Sequence, residues 1–338
     1  MKKLASFLIV LALVLTLASS AMAEGEKVAV ICDPVGTNMF LTQAVDMAKE
    51  LSETYGYTLS LMECSDTDEW QSNYRAAVAE GYDLIIGVGW QSGELANEMA
   101  TEYPDQSCYA VIDTDAGNEN VMSISYNEEQ AAYLMGVMAG LAFPDSDLYG
   151  YIGCFEGGGS FKYRWGFCEG VRSVNPDAQF IFNYTNSYTD TALPFEYAKQ
   201  QAAAGATYIF GGAAAGNEGI FQAALELAAA GTPIYSIAQD ADATTPDNPY
   251  IISAQLKNTG VSMKQVIDAY FNGEWTTGLI VSQLADGGIG ATHITNEGNY
   301  LNADIMTEEV IAGCQAVVDQ IVSGELVLVL PAMEDYEF

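Results

Sequence analysis

Short apolar runs rich in β-branched and aromatic residues alternate with stretches of helical period along this chain, and they do so twice. The first series of runs is Val28–Cys32, Thr58–Met62, Leu84–Val88, Tyr109–Ile112 and Val121–Ser125, with amphipathic stretches at Phe40–Thr54, Glu69–Ala79 and Gly93–Thr101 between them. After Phe143-Pro144-Asp145 the alternation restarts. Runs at Leu148–Cys154, Phe180–Tyr184, Tyr208–Gly211, Ile234–Ile237 and Ile251–Gln255 are separated by helical patterns near Tyr163–Val174, Pro194–Ala204 and Gly219–Ala230. A run that is apolar at every position reads as a strand buried on both faces of a parallel sheet. Parallel neighbours need right-handed crossovers, so such a chain winds helices over both faces of its sheets. The predicted class is α/β, with two doubly wound parallel-sheet lobes joined by a multi-strand hinge. The remaining chain supplies no third unit. Val261–Phe271 and Thr307–Val322 read as helices and Leu326–Leu330 as a last short strand. The economical arrangement returns this tail to both lobes. Residues 24–145 with 254–285 then make the N-terminal lobe, and 146–253 with 286–338 the C-terminal lobe. A ligand of such a fold lies between the lobes, at the carboxyl ends of the strands.

The length of 338 residues suits two domains of ordinary size. Its 45 Asp+Glu against 11 Lys+Arg give a net charge of −34, which excludes a binder of nucleic-acid phosphates. The same charge argues against docking on an anionic membrane surface. At the start, Lys2 and Lys3 precede an apolar run from Leu4 to Ala18, and Ala21-Met22-Ala23 offers a small-x-small cleavage pattern. Residues 1–23 are therefore expected to be a signal peptide, with the mature chain starting at Glu24, exported and soluble. An uncleaved anchor would need about 20 apolar residues. No Cys follows the apolar run closely, so a lipobox is not expected. The six cysteines, Cys32, Cys64, Cys108, Cys154, Cys168 and Cys314, are dispersed without metal-ligand spacing. Most sit in apolar patterns, where buried thiols are favoured over a disulfide framework. A single His, His293, disfavours His-dependent catalysis or a His-rich metal site. No metal and no cofactor is expected.

Four segments carry a resemblance. The run Asn127-Glu128-Glu129-Gln130-Ala131-Ala132-Tyr133-Leu134-Met135-Gly136 is similar to the "EEQGAYLAG" helix start of basic membrane protein-type (BMP) solute-binding proteins. Trp165-Gly166-Phe167-Cys168-Glu169-Gly170-Val171 with Asn175-Pro176-Asp177 resembles that family's "GFxAGVxxxNPD". Phe210–Phe221 resembles its "FHAAGGTGNGVF" turn, with Gly211 in place of the His. Asp240-Ala241-Asp242 and Leu256-Lys257-Asn258 resemble "DxD" and "VKN". The motifs follow family order over nearly all the mature chain. The resemblance implies a type I periplasmic-binding fold and a purine-nucleoside receptor, working as a monomer with a membrane-embedded ABC permease. Two departures stand out. The loop from Asp33 to Phe40 is shorter than the family's "TDxGGxxDxSFN", and Leu41 stands where the family has Asn. Asn38-Met39-Phe40 is also similar to the opening helix of ribose-type sugar receptors, so a sugar or signalling molecule is the alternative ligand.

A nucleoside is uncharged, with a flat base and vicinal hydroxyls, and asks for aromatic faces and hydrogen-bonding groups in an enclosed cleft. Asp33 ends the first strand and offers its carboxylate to ribose or base, or else caps the loop before Pro34. Phe40 faces the cleft by the resemblance, or is a core Phe. Trp90, after Gly87-Val88-Gly89, reads as a stacking wall at an exposed strand end. Asp113 holds the family's "IID" position, or bonds across the hinge. Tyr163 replaces the Phe of "RFExGF" and could stack on a base, or pack in its helix. Gly212 would let a ligand approach the backbone closely. Asp240 and Lys257 resemble the family's ribose-hydroxyl pair, or form a hinge salt bridge. A secreted nucleoside hydrolase is the enzymatic alternative. It would use Asp66 and Asp68, or Asp113 and Asp115, but neither pair has a recognisable metal spacing.

Overall fold

A computed structural model describes residues 25–36, 38–295 and 300–336. The expected signal peptide, and its cleavage point before Glu24, lie outside the described residues. The first series folds as β1 (Lys27–Cys32), α1 (Met39–Tyr55), β2 (Thr58–Glu63), α2 (Thr67–Ala79), β3 (Leu84–Val88), α3 (Ser92–Glu102), β4 (Cys108–Ile112) and β5 (Val121–Tyr126). The two ends of α1 have local causes. Asn38 caps α1 by accepting the Phe40 N–H at 3.1 Å, and Gly56, at φ 76°, ends it in a left-handed turn. Leu41, Ala44, Val45, Ala48 and Leu51 form the buried stripe of that helix. β1 shows why both its faces had to be apolar. Val28, Val30 and Cys32 pack into a core with α1, while Ala29 and Ile31 pack with α2 and α3 on the other face.

The second series follows as α4 (Glu128–Ala142), β6 (Leu148–Gly153), α5 (Gly159–Val174), β7 (Gln179–Tyr184), α6 (Ala192–Ala203), β8 (Tyr208–Gly212), α7 (Asn217–Ala229), β9 (Tyr235–Asp240) and β10 (Ile251–Lys257). The tail adds α8 (Thr259–Phe271), β11 (Gly278–Ser282), β12 (Ile289–Ala291) and α9 (Glu308–Ser323). The strand order is β11-β5-β4-β3-β1-β2 in one sheet and β12-β10-β9-β8-β6-β7 in the other. All pairings are parallel except β10 with β12. The chain passes between the sheets after β5, after β10 and after β11.

These crossings correct the sequence-based boundaries. Residues 254–257, expected in the N-terminal lobe, belong to β10 and pair with β9 of the second sheet. The expected seam at 145 moves to the start of α4, whose residues Ala132 to Ala139 lie in the second core. The reason is steric. α4 is apolar nearly all round, and its Gly136 meets Gly170 of α5 so closely that a Cβ on Gly170 would sit 2.0 Å from the Tyr133 carbonyl. α8 makes the opposite exchange, leaving the second sheet to pack Met263, Val266 and Ile267 into the core of the first. Leu326–Leu330, expected as a strand, joins no ladder; Leu326 and Leu328 pack against the second core while Val327 and Val329 face solvent. Alternation there recorded a buried face but no pairing partner. β11 and β12 were not anticipated. The six cysteines are free thiols. Cys32 and Cys64 are neighbours along the backbone ladder, yet they point into cores on opposite faces of the sheet.

Candidate functional site

The two sheets turn their strand carboxyl ends toward each other, and the residues closing those strands meet. From the first lobe come Phe40 at the start of α1, Asp113 just after β4, and Glu128 opening α4 after β5. From the second come Tyr163 on α5, Asp240 at the end of β9 and Lys257 at the end of β10. Lys257 is the centre. Its Nζ donates to Asp113 Oδ1 at 2.7 Å and to Glu128 Oε1 at 3.1 Å, and it lies 5.5 Å, 5.2 Å and 5.7 Å from the ring centroids of Phe40, Tyr126 and Tyr163. Glu128 has a second partner, Lys162 of α5, which reaches its Oε2 at 2.7 Å and the Tyr126 carbonyl at 2.9 Å. Asp240 accepts from the Tyr163 hydroxyl at 3.3 Å and makes no ion pair with Lys257. Gln43, one turn beyond Phe40, reaches across to the Asp240 carbonyl at 3.3 Å.

Three carboxylates thus share two lysines in a site shielded from water, and their protonation follows from that shortage. Burial works against the Lys257 ammonium, but Asp113, Tyr163, Glu128 and Asp240 outweigh it and hold the charge well above the ordinary lysine range. Burial also opposes ionisation of Glu128, yet Lys257 and Lys162 keep it below the usual glutamate value. For Asp240, burial dominates. Lys257 counters it, Asp113 adds to it, and the carboxyl is pushed up to about 6. Asp113 and Asp240 also share a backbone feature, positive φ of 82° and 67°. Asp tolerates that region better than most residues, and such conformations gather where a side chain must be aimed.

Beside this group a cavity of about 360 Å³ opens between the lobes, lined by Asn38, Phe40, Asn217, Phe221, Gln239 and Asp240 among others. Phe40, Asp113, Tyr163, Asp240 and Lys257 are thus brought together. Asp33 stands apart. Its two oxygens accept from Trp70 Nε1 at 2.9 Å and Gln91 Nε2 at 2.7 Å, both within its own lobe, so it ties down the loop that carries Trp90. Trp90 is 62% exposed, and its indole lies near enough to the Tyr188 hydroxyl of the other lobe to offset part of the rise in pKa that burial gives that group. Gly212 is buried, and a Cβ there would meet the Tyr151 hydroxyl at 2.9 Å; its smallness makes room for that ring rather than for an approach from the cleft. Sequence reasoning did not single out Glu128, Lys162, Gln43 or Tyr188 as site residues. Glu128 lies inside a quoted motif; the other three carry no local signal, because their partners are far away in sequence. Among the described residues, no group of His, Cys, Asp and Glu could hold a metal ion.

Comparison with known proteins adds three findings. The family described as ABC transporter substrate-binding protein PnrA-like matches residues 27–326. The ABC transporter nucleoside-binding protein BmpA of Lactococcus lactis is 24% identical over 262 residues, 73% of this chain and 74% of that protein. The CD4+ T-cell-stimulating antigen of Listeria innocua is 30% identical over 185 residues, and the chain spans about half the length of that relative (50%). A solute-binding protein of an ABC transporter system from Aeropyrum pernix K1 superposes with a TM-score of 0.79 at 24% identity, covering 92% of this chain and 95% of that one, which shows the shared fold.

Proposed function

The chain belongs to the PnrA-like family of ABC transporter substrate-binding proteins, and from that premise we propose that it is an exported receptor that takes a purine nucleoside between its lobes and delivers it unchanged to a membrane permease. The observation that carries the reading is the meeting of aromatic rings and polar groups from both lobes at one place: Phe40 and Asp113 from one side, Tyr163, Asp240 and Lys257 from the other. A flat base gains from stacking on aromatic faces, and ribose hydroxyls gain from a carboxylate that accepts and an ammonium that donates. A carboxyl poised near 6, as at Asp240, can do either. A ligand touching both lobes favours the closed arrangement by the difference in its affinity for the two states. Among the described residues, no helix is long and apolar enough to cross a membrane.

The test is thermal unfolding with adenosine, guanosine, inosine and free pentoses. A nucleoside at a hundredfold excess over its Kd adds about 2.7 kcal/mol to the native state, while ribose, lacking the base, adds much less. Stabilisation by pentoses and not by nucleosides would transfer the site to a sugar receptor. Mass spectrometry of the incubated ligand should return it intact; release of free base would make the protein a hydrolase.

A further inference from the structure

Helix α8 packs Met263, Val266 and Ile267 into the first core, yet its first turn buries two polar side chains, Thr259 and Ser262. Both are indifferent helix formers, so propensity does not place them there. Hydroxyls on a buried helix face need partners. These two find theirs outside the helix, among the groups around Lys257. Thr259 Oγ1 donates to the Phe40 carbonyl at 2.6 Å, and Ser262 Oγ shares a 2.6 Å hydrogen bond with the Tyr126 hydroxyl. Phe40 and Tyr126 are two of the three rings that face the Lys257 ammonium, at 5.5 Å and 5.2 Å.

The chain on either side of Thr259 is fastened as well. Asn258, at the N-cap position of α8, makes no capping bond with its side chain. Its Nδ2 donates instead to the Gly287 carbonyl at 2.6 Å, and its N–H to the Gly288 carbonyl at 2.8 Å. Gly260 lies so close to α1 that a Cβ there would sit 3.1 Å from the Gln43 carbonyl. Gln43 Nε2 in turn reaches the carbonyls of Asp240 at 3.3 Å and Lys257 at 3.5 Å. The start of α1 is thereby tied to the chain that carries Lys257 by one short bond and one long one. Thr259 follows Lys257 by two residues, so its bond to Phe40 sets the ring's helix against the ammonium through very little covalent chain. A contact held in place before the ligand arrives needs no ordering on binding.

We propose that Thr259 is a positioning residue of the ligand site, its hydroxyl setting where the Phe40 ring stands relative to Lys257 and Asp240, with Gln43 as a second and weaker tie of the same helix. Thr259 is fully buried, so it acts through Phe40 rather than on the ligand. This role rests on the reading of Phe40 as a face for the ligand's base, and it adds what keeps that face aligned with the groups assigned to the sugar. Valine has the shape of threonine without the donor, so Thr259→Val removes the tie and leaves the space filled.

The experiment is a double-mutant cycle on adenosine binding, read by calorimetry on the purified protein. Thr259→Val should weaken adenosine by about fivefold to tenfold, the usual consequence of losing one hydrogen bond. Thr259→Ser keeps the donor and should restore the wild-type affinity. In a Phe40→Ala background, Thr259→Val should have no further effect, because the ring it positions is gone. Gln43→Met, at a half-buried position, runs the same cycle should Thr259→Val not fold, and its smaller effect should also vanish with the Phe40 ring. A threonine that only supports the fold lowers affinity by the same factor with and without that ring, and such additivity overturns the assignment. So does a Thr259→Val protein that binds adenosine like wild type. A wild-type protein that binds ribose and not adenosine sinks the nucleoside reading, and the cycle with ribose then decides: coupling to Phe40 keeps the assignment and additivity removes it. Binding of neither probe overturns both.

Discussion

Replacing Lys257 with Met separates two roles that its position could serve, ligand contact and lobe bridging. The Lys257 side chain is buried, pairs with Asp113 at 2.7 Å and Glu128 at 3.1 Å, and lies against three aromatic rings. Met fills much of the same space, so the loss is electrostatic. Glu128 keeps Lys162 at 2.7 Å; Asp113 keeps no cation in contact. Removing one partner of a buried pair leaves an uncompensated charge and costs about 3–5 kcal/mol. That cost should depend on pH. Burial already holds the Asp113 carboxyl above its ordinary value against the pull of Lys257; without the lysine it rises further, so the variant's native state binds more protons than the wild type's, and the deficit shrinks as pH falls, by up to about 1.4 kcal/mol per unit. Urea unfolding at pH 8 and pH 5, followed by circular dichroism, measures both effects. The double variant Asp113→Asn/Lys257→Met should recover most of the loss. Asp240→Asn, whose carboxyl already sits near 6 and makes only a 3.3 Å bond to Tyr163, should hardly alter the fold. A Lys257→Met cost below about 1 kcal/mol, unchanged with pH, would mean that the pair behaves as a solvated surface bridge and that this reasoning is wrong.

Three further outcomes are expected. His293 is buried with Nδ1 at 2.7 Å from Ser253 Oγ, and burial lowers its pKa from 6.5 to about 3; the unfolded chain therefore binds the extra proton first, and stability falls as pH drops from 6.5 toward 3, at up to about 1.4 kcal/mol per unit. The pH slope should be shallower in His293→Gln, and equal slopes would refute the assignment; the opposite contribution of Asp240 cancels in that comparison. Thiol titration of the denatured, unreduced protein should count six groups, and the native protein should react slowly, since burial pushes Cys32 and Cys314 up to about 12 and the thiolate is the reactive form. A count of four or fewer would mean a disulfide. Gly170→Ala places a methyl 2.0 Å from the Tyr133 carbonyl and should cost about 1–3 kcal/mol in thermal unfolding by forcing α5 from α4; a neutral result would refute the close packing of the two helices.

The strand–helix order was readable because parallel strands buried on both faces must be apolar throughout, as β3 is from Leu84 to Val88. The ownership of α4 was not readable. Its apolar surface shows that it is buried but not in which lobe, and that choice depends on Gly136 meeting Gly170 of another helix. The site was legible in the same uneven way. Asp113, Asp240 and Lys257 end strands, where topology alone gathers them. Lys162 and Tyr188 matter through partners in the other lobe, and nothing beside them in the sequence announces those partners. Asp33 shows the reverse: its strand-end position suggested a ligand contact, yet Trp70 and Gln91 already engage both of its oxygens.

The two ends of the cleft are built from different materials, and this bears on how the lobes move. Near the crossings, which follow β5, β10 and β11, the lobes are joined by covalent chain and by largely buried ions, Lys257 and Lys162 with Asp113 and Glu128. Breaking those ions apart is costly, so that end acts as the pivot. At the mouth, the partly exposed side chains of Trp90 and Tyr188 come near each other, with no ion pair between them. Gln43 adds a long bond to the Asp240 carbonyl at 3.3 Å. Away from the crossings the lobes are therefore tied together only weakly. A molecule that touches both lobes there, and reaches the charged group behind it, adds the contacts that favour closure. A molecule that touches only one end leaves the balance between open and closed almost where it was.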